Sequence, residues 1–154
     1  MRAAILREGK IEVGNHPDPV PGSGEVLVRT LRCALCASDL HVVHHGQELV
    51  RWSREYGGPF QMDLARPIVL GHEYCAEIVD FGPGTRRALR RGTRVTSMPA
   101  VFRPDGGISA IGLSNAYPGG FGEYMLLGED QLREVPASLG TELAALTEPV
   151  SVGV

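Results

Sequence analysis

Glu25-Val26-Leu27-Val28-Arg29-Thr30-Leu31-Arg32-Cys33 sets Val26, Val28 and Thr30 against Leu27, Arg29 and Leu31. A period of two over that length predicts a long β-strand. Upstream, Pro17-Asp18-Pro19-Val20-Pro21-Gly22-Ser23-Gly24 is a turn-rich connector, and Arg2–Arg7 and Lys10–Val13 read as paired strands joined at Glu8-Gly9. Downstream, Tyr74–Phe81 is a further strand, ended by Gly82-Pro83-Gly84, and Thr93–Met98 and Phe121–Leu127 are two more. Thr141–Thr147 reads as a short helix. Pro149 disfavours helical geometry at the residue before it, so Glu148 is expected to be extended. Many short strands with few helices predict a mainly β barrel or sandwich. Neither a βαβ rhythm nor a Gly-x-Gly-x-x-Gly run occurs, so these residues carry no dinucleotide fingerprint.

A chain of 154 residues suffices for one domain whose core needs no disulfides. The net charge of −3 and the scattered basic residues exclude a nucleic-acid footprint, and Arg86-Arg87-Ala88-Leu89-Arg90-Arg91 reads as a solvated loop. No apolar run reaches the length of a membrane span, and Met1–Arg7 does not read as a secretory signal. Cys33, Cys36 and Cys75 are an odd set without an export signal, which points to a reducing, cytoplasmic setting. Thioredoxin-like use of the Cys33–Cys36 spacing would need a βαβ context, and a four-cysteine zinc site is excluded by the count. One metal-ligand cysteine beside two buried structural ones is the reading that remains.

Cys36-Ala37-Ser38-Asp39-Leu40-His41 and Gly71-His72-Glu73 gather a thiol, imidazoles and carboxylates, the donors zinc takes when it does chemistry. A buried cysteine or a hydrogen-bonded core histidine would explain Cys36 or His72 taken singly. Their joint occurrence favours a metal.

The order of these segments resembles the zinc-dependent medium-chain alcohol dehydrogenase family. Pro21-Gly22-Ser23-Gly24-Glu25-Val26-Leu27-Val28 is similar to its P-G-x-G-E-V-L-V run, and Pro67-Ile68-Val69-Leu70-Gly71-His72-Glu73 to its P-x-x-x-G-H-E segment. Gly92-Thr93-Arg94-Val95 stands where G-D-R-V is usual, and Gly119-Gly120-Phe121-Gly122-Glu123-Tyr124 resembles G-G-F-A-E-Y. The resemblance implies a GroES-like, partly open β-barrel that serves as the catalytic domain of a two-domain dehydrogenase. Residues 1–147 would form that domain, and 148–154 would begin the connection to a nucleotide-binding domain absent from this chain.

The same resemblance implies one catalytic Zn2+, held by Cys36 and His72, with Asp39 supporting His72 from behind. Two carboxylates compete for the third ligand. Glu148, in Glu148-Pro149-Val150-Ser151-Val152-Gly153, is similar to the glutamate of the polyol dehydrogenase group, and Glu73 lies directly behind the metal in the family. An alcohol or polyol held at zinc would be oxidised by hydride transfer to NAD or NADP. Ser38 would take its proton and relay it through the cofactor ribose to His41, the one point where this chain would meet the cofactor. Full-length members would be homo-oligomers.

Two departures from the pattern stand out. Met98–Pro118 holds no cysteine, so the family's second, structural zinc is expected to be missing. The stretch between His41 and Gly71 is long, and its Trp52, Tyr56 and Phe60 either roof a substrate pocket or pack on the barrel; His44 and His45 read as loop residues. A non-enzymatic GroES-like module, or a remnant that keeps zinc as a staple, is the rival reading.

Overall fold

A computed structural model describes residues 1–58, 60–103 and 106–153. The order is β1 (Arg2–Arg7), β2 (Lys10–Asn15), β3 (Glu25–Ala34), α1 (Ala37–Tyr56), β4 (Ile68–Val69), β5 (Glu73–Phe81), β6 (Arg94–Thr96), β7 (Ala100–Phe102), β8 (Ile108–Ala110), β9 (Tyr124–Gly128), a 3-10 turn (Glu129–Gln131), β10 (Arg133–Glu134), α2 (Thr141–Ala145) and α3 (Thr147–Val152). Five strands form one sheet in the order β10-β6-β5-β3-β9, three form another as β2-β1-β4, and β7 pairs β8. Every ladder among the described residues is antiparallel. An Ala3–Gly122 bridge and the hydrogen bonds Ala4 N to Phe121 O and Phe121 N to Leu70 O stitch the two larger sheets together. The result is the expected mainly β, partly open barrel.

The alternation of β3 and β5 decides what lies inside. Val26, Val28, Tyr74, Ala76 and Ile78 point into the barrel and pack with Val95, Met125 and Leu127. On β3 the pairing steps from Thr30–Ala76 to Arg32–Cys75, so Leu31 is an extra residue. A bulge of this kind flips the faces of everything after it. Cys33 therefore turns inward beside Tyr74, while Arg32 turns outward and pairs with Glu142 of α2 at 3.0 Å. The outer face of β5 holds Cys75, which packs with Val135, Ala144 and Ala145.

The sequence reading missed α1 as a helix and is corrected there: His44 and His45 lie within it, not in a loop. Cys36 is its N-cap, and Cys36 and Asp39 form a reciprocal capping box in which the Cys36 N–H donates to Asp39 Oδ2 at 3.0 Å. Gly57, at φ +77°, closes the helix by donating to Ser53 O. His45 (φ −130°, ψ 20°) kinks it. The buried stripe is Asp39, Val42, Gly46, Val50 and Ser53, only two of which are hydrophobic. That composition hid the 3.6-residue period.

Phe60 packs with Met62, Ile68 and Leu70, as the packing alternative expected. Trp52 and Tyr56 do neither of the things foreseen. Both are exposed, and they stand more than four turns along α1 from Cys36, roughly 24 and 30 Å at 1.5 Å per residue, too far to roof a site there.

Glu148 is also corrected. It lies in the first turn of α3, which runs through Pro149. Proline is tolerated there because the first turn's N–H groups have no helical partner to lose.

Candidate metal centre

Two segments of the chain deliver the site. The N-cap of α1 supplies Cys36, and the turn from β4 into β5 supplies His72, with Glu73 at the first position of β5. Among the described residues, one donor atom from each of these three comes within 4.8 Å of the other two. No other group of three or more histidine, cysteine, aspartate or glutamate residues does so among the described residues.

His72 is held on both sides. Its Nε2 is 3.3 Å from Ser38 Oγ, and its Nδ1 is 3.5 Å from Oδ1 of the fully buried Asp39. The second separation is longer than a good hydrogen bond, so Nδ1 is a buried atom without a hydrogen-bond partner, facing the Asp39 carboxylate. Asp39 also accepts the backbone N–H groups of Cys36 at 3.0 Å and Gly71 at 3.2 Å. Burial would lower the imidazole pKa; Asp39, and then Cys36, overcome it and raise His72 to about 9.

The turn that presents His72 requires glycine. Gly71 has φ +97°, and a Cβ there would lie 2.9 Å from Cys33 Sγ and from Phe121. Gly120 N donates to Gly71 O at 2.7 Å behind it. Cys33 is walled in at this contact, and burial, assisted by Asp39, pushes its thiol up to about 12. Burial raises the Cys75 thiol as well. Neither is suited to metal or redox work, which leaves Cys36.

Glu148 stands outside the three-residue set, half-buried on α3, which packs on β5. Burial pushes its carboxyl pKa up, the charge of His72 pulls it down and that of Glu73 pushes it up again. His41 follows Ser38 by one turn of α1 and is exposed. The cysteine-free stretch Met98–Pro118 contains the β7–β8 hairpin. The basic run noted in the sequence is absorbed locally: Arg86 pairs with Asp130, Arg91 with Asp80, and Arg87 lies 5.7 Å above the Phe81 ring. No helix among the described residues is long and apolar enough to cross a membrane.

The donor set fits zinc. A sulfur, an imidazole nitrogen and a carboxylate oxygen are its preferred ligands, and ligands at about 2.0–2.3 Å in a tetrahedron lie roughly 3.5 Å apart. The donor atoms of Cys36, His72 and Glu73 lie within 4.8 Å of one another, in the range from which a bound ion would draw them together.

A profile of the alcohol dehydrogenase GroES-like domain matches residues 22–137. A sorbitol dehydrogenase of Gallus gallus is 30% identical over all of this chain and 43% of its own length. An (R,R)-butanediol dehydrogenase of Bacillus subtilis is 29% identical over 99% of this chain and 45% of its own. Among solved structures, 2R,3R-butanediol dehydrogenase from Bacillus subtilis superposes with a TM-score of 0.74 at 26% identity, covering 98% of this chain and 45% of that one. A candidate zinc-binding dehydrogenase from Sinorhizobium meliloti 1021, bound to NADP, superposes with a TM-score of 0.75 at 29% identity, covering 97% and 42%. The chain thus spans less than half the length of the relatives it matches.

Proposed function

The chain belongs to the alcohol dehydrogenase GroES-like domain family, and on that premise we propose that it is the zinc-holding catalytic domain of an NAD(P)-dependent alcohol or polyol dehydrogenase. Residues 1–147 are the domain, and 148–154 begin the connection to a nucleotide-binding domain. The observation that carries the reading is the convergence of Cys36, His72 and Glu73, backed by a buried aspartate. Cys36 and His72 would hold the metal. The third, carboxylate ligand would be Glu73, already in the cluster, or Glu148, on the helix that packs on β5.

When bound, zinc supplies a Lewis acid that acidifies an alcohol hydroxyl, and the nicotinamide accepts the hydride. The chain's own residues do the rest. Asp39 fixes the orientation of His72 and favours the tautomer that keeps Nε2 free to bind. Ser38, 3.3 Å from that nitrogen, can accept a substrate proton while donating its own. His41, exposed one turn on, is placed to pass the proton outward with the help of the cofactor ribose. A small alcohol or polyol is the substrate, and the full-length protein is a homo-oligomer. Three free cysteines fit a cytoplasmic setting.

The test is metal analysis after metal-replete expression, with one zinc per chain expected, lost in Cys36→Ser and in His72→Ala. A chain purified without zinc under those conditions would overturn the reading. Two zinc ions per chain would contradict the expectation that Met98–Pro118 holds none.

A further inference from the structure

The Arg94 side chain on β6 makes four hydrogen bonds, all to the segment that precedes and opens α2. Its Nη1 donates to Leu139 O at 2.9 Å and Thr141 Oγ1 at 3.3 Å, and its Nη2 to Pro136 O at 3.0 Å and Ala137 O at 3.4 Å. Its own carbonyl accepts Val135 N at 2.9 Å. The whole run from 135 to 141 is therefore wound around one residue. A planar guanidinium can engage several carbonyls in fixed directions; an ammonium is a single point donor on a flexible stem.

What that run leads into is the site. Residue 141 opens α2, a helix of five residues, too short to stand without tertiary support. Ala144 and Ala145 dock it on Cys75, on the outer face of β5. Leu146 ends α2 and caps α3, Thr147 Oγ1 donates back to Ala144 O at 2.8 Å, and Glu148 follows in the first turn of α3. Glu73 lies two residues before Cys75 on the same outward face of β5. A shift of the 135–141 run would carry α2, α3 and Glu148 with it relative to Glu73 and His72.

We infer that Arg94 is a positioning residue for Glu148: by clamping the segment that carries α2 and α3, it sets how the Glu148 carboxylate is presented to the metal. The inference rests on the reading of Cys36, His72 and the two carboxylates as a zinc site. It adds a part that touches no ligand. Arg94 acts from the far end of α2.

The experiment is a double-mutant cycle on zinc affinity, measured on the 154-residue chain by competition with a chromophoric chelator. The proteins compared are the parent, Arg94→Met, Glu148→Gln, the double variant and His72→Ala. Supporting carboxylates are worth roughly 10- to 100-fold in metal affinity, so Arg94→Met and Glu148→Gln are each expected to weaken zinc by about tenfold or more. The double variant is expected to bind no more weakly than Glu148→Gln alone. Cobalt(II) is expected to show the same altered visible spectrum in both single variants.

A merely structural Arg94 would weaken zinc equally with and without Glu148, and that result overturns the inference. So does a Glu148→Gln variant that binds as tightly as the parent. The His72→Ala arm separates these failures from failure of the zinc site itself, which would leave its affinity unchanged. If Arg94→Met does not fold, as judged by far-ultraviolet circular dichroism, Arg94→Lys carries the same cycle. It keeps the charge and loses the fork.

Discussion

The buried carboxylate of Asp39 sits between the two candidate ligands, accepting the backbone N–H of Cys36 at 3.0 Å with one oxygen and facing His72 Nδ1 at 3.5 Å with the other. One side chain thus both caps α1 and orients the imidazole. Asp39→Asn keeps the shape but exchanges an acceptor for a donor. Zinc affinity is expected to fall about 10- to 100-fold, and stability by about 1–3 kcal/mol as a buried N–H loses its acceptor. Chelator competition and urea unfolding measure the two effects. Unchanged zinc affinity would remove Asp39 from the site.

His72 gives the metal-stripped domain a pH dependence of defined sign. Its pKa rises from 6.5 to about 9 on folding. Stability from the protonated ring is therefore fully present below pH 6.5 and is lost as pH climbs through 9, on the order of 3 kcal/mol. Zinc needs the neutral ring and a thiolate, so the loaded domain behaves oppositely and releases metal as pH falls. Thermal unfolding between pH 6 and 9, with and without zinc, is expected to give slopes of opposite sign. Parallel slopes would show that His72 does not bind the metal.

Gly71 and Gly92 both have positive φ, at +97° and +83°, but differ in surroundings. A Cβ on Gly92 meets nothing within 4 Å, whereas one on Gly71 meets Cys33 and Phe121 at 2.9 Å. Gly92→Ala is expected to cost about 1 kcal/mol from backbone strain alone. Gly71→Ala adds an overpacking penalty, for a total of about 3 kcal/mol or more, and displaces His72. Equal costs in denaturant titrations would contradict this account.

Because every ladder among the described residues is antiparallel, the strand–helix–strand phosphate cradle has no counterpart in them. Calorimetric titration of the 154-residue chain with NADH or NADPH is expected to show no binding in the micromolar range. Micromolar affinity would mean that this domain holds the nucleotide by a surface not described above.

The strands were legible wherever side chains alternate: β1, β2, β3 and β5 lie close to where Arg2–Arg7, Lys10–Val13, Glu25–Cys33 and Tyr74–Phe81 were read. The bulge at Leu31 was not, because only the partner strand reveals an extra residue. The helix α1 was hidden by a buried stripe containing Asp39, Gly46 and Ser53, although the Cys36–Asp39 box and Gly57-Gly58 mark its two ends. At the site, Cys36, His72 and Glu73 stood out because metal donors are chemically rare and were close in type and order. Arg94 is legible only as part of Gly92-Thr93-Arg94-Val95. Three of its four acceptors are main-chain carbonyls, which carry no side-chain signature.

The bond between β3 and β9 joins Val26 to Leu127, and the carboxylate of Glu148 comes later still, more than a hundred residues after Cys36. At about 5–20 residues per second of synthesis, roughly ten seconds separate the emergence of Cys36 from that of Glu148. Contacts so far apart in sequence also close slowly. A nascent chain therefore displays bare thiols at Cys33 and Cys36 well before the barrel can shelter one and the metal claim the other. If Glu148 completes the proposed site, zinc would meet a barrel that is already largely made.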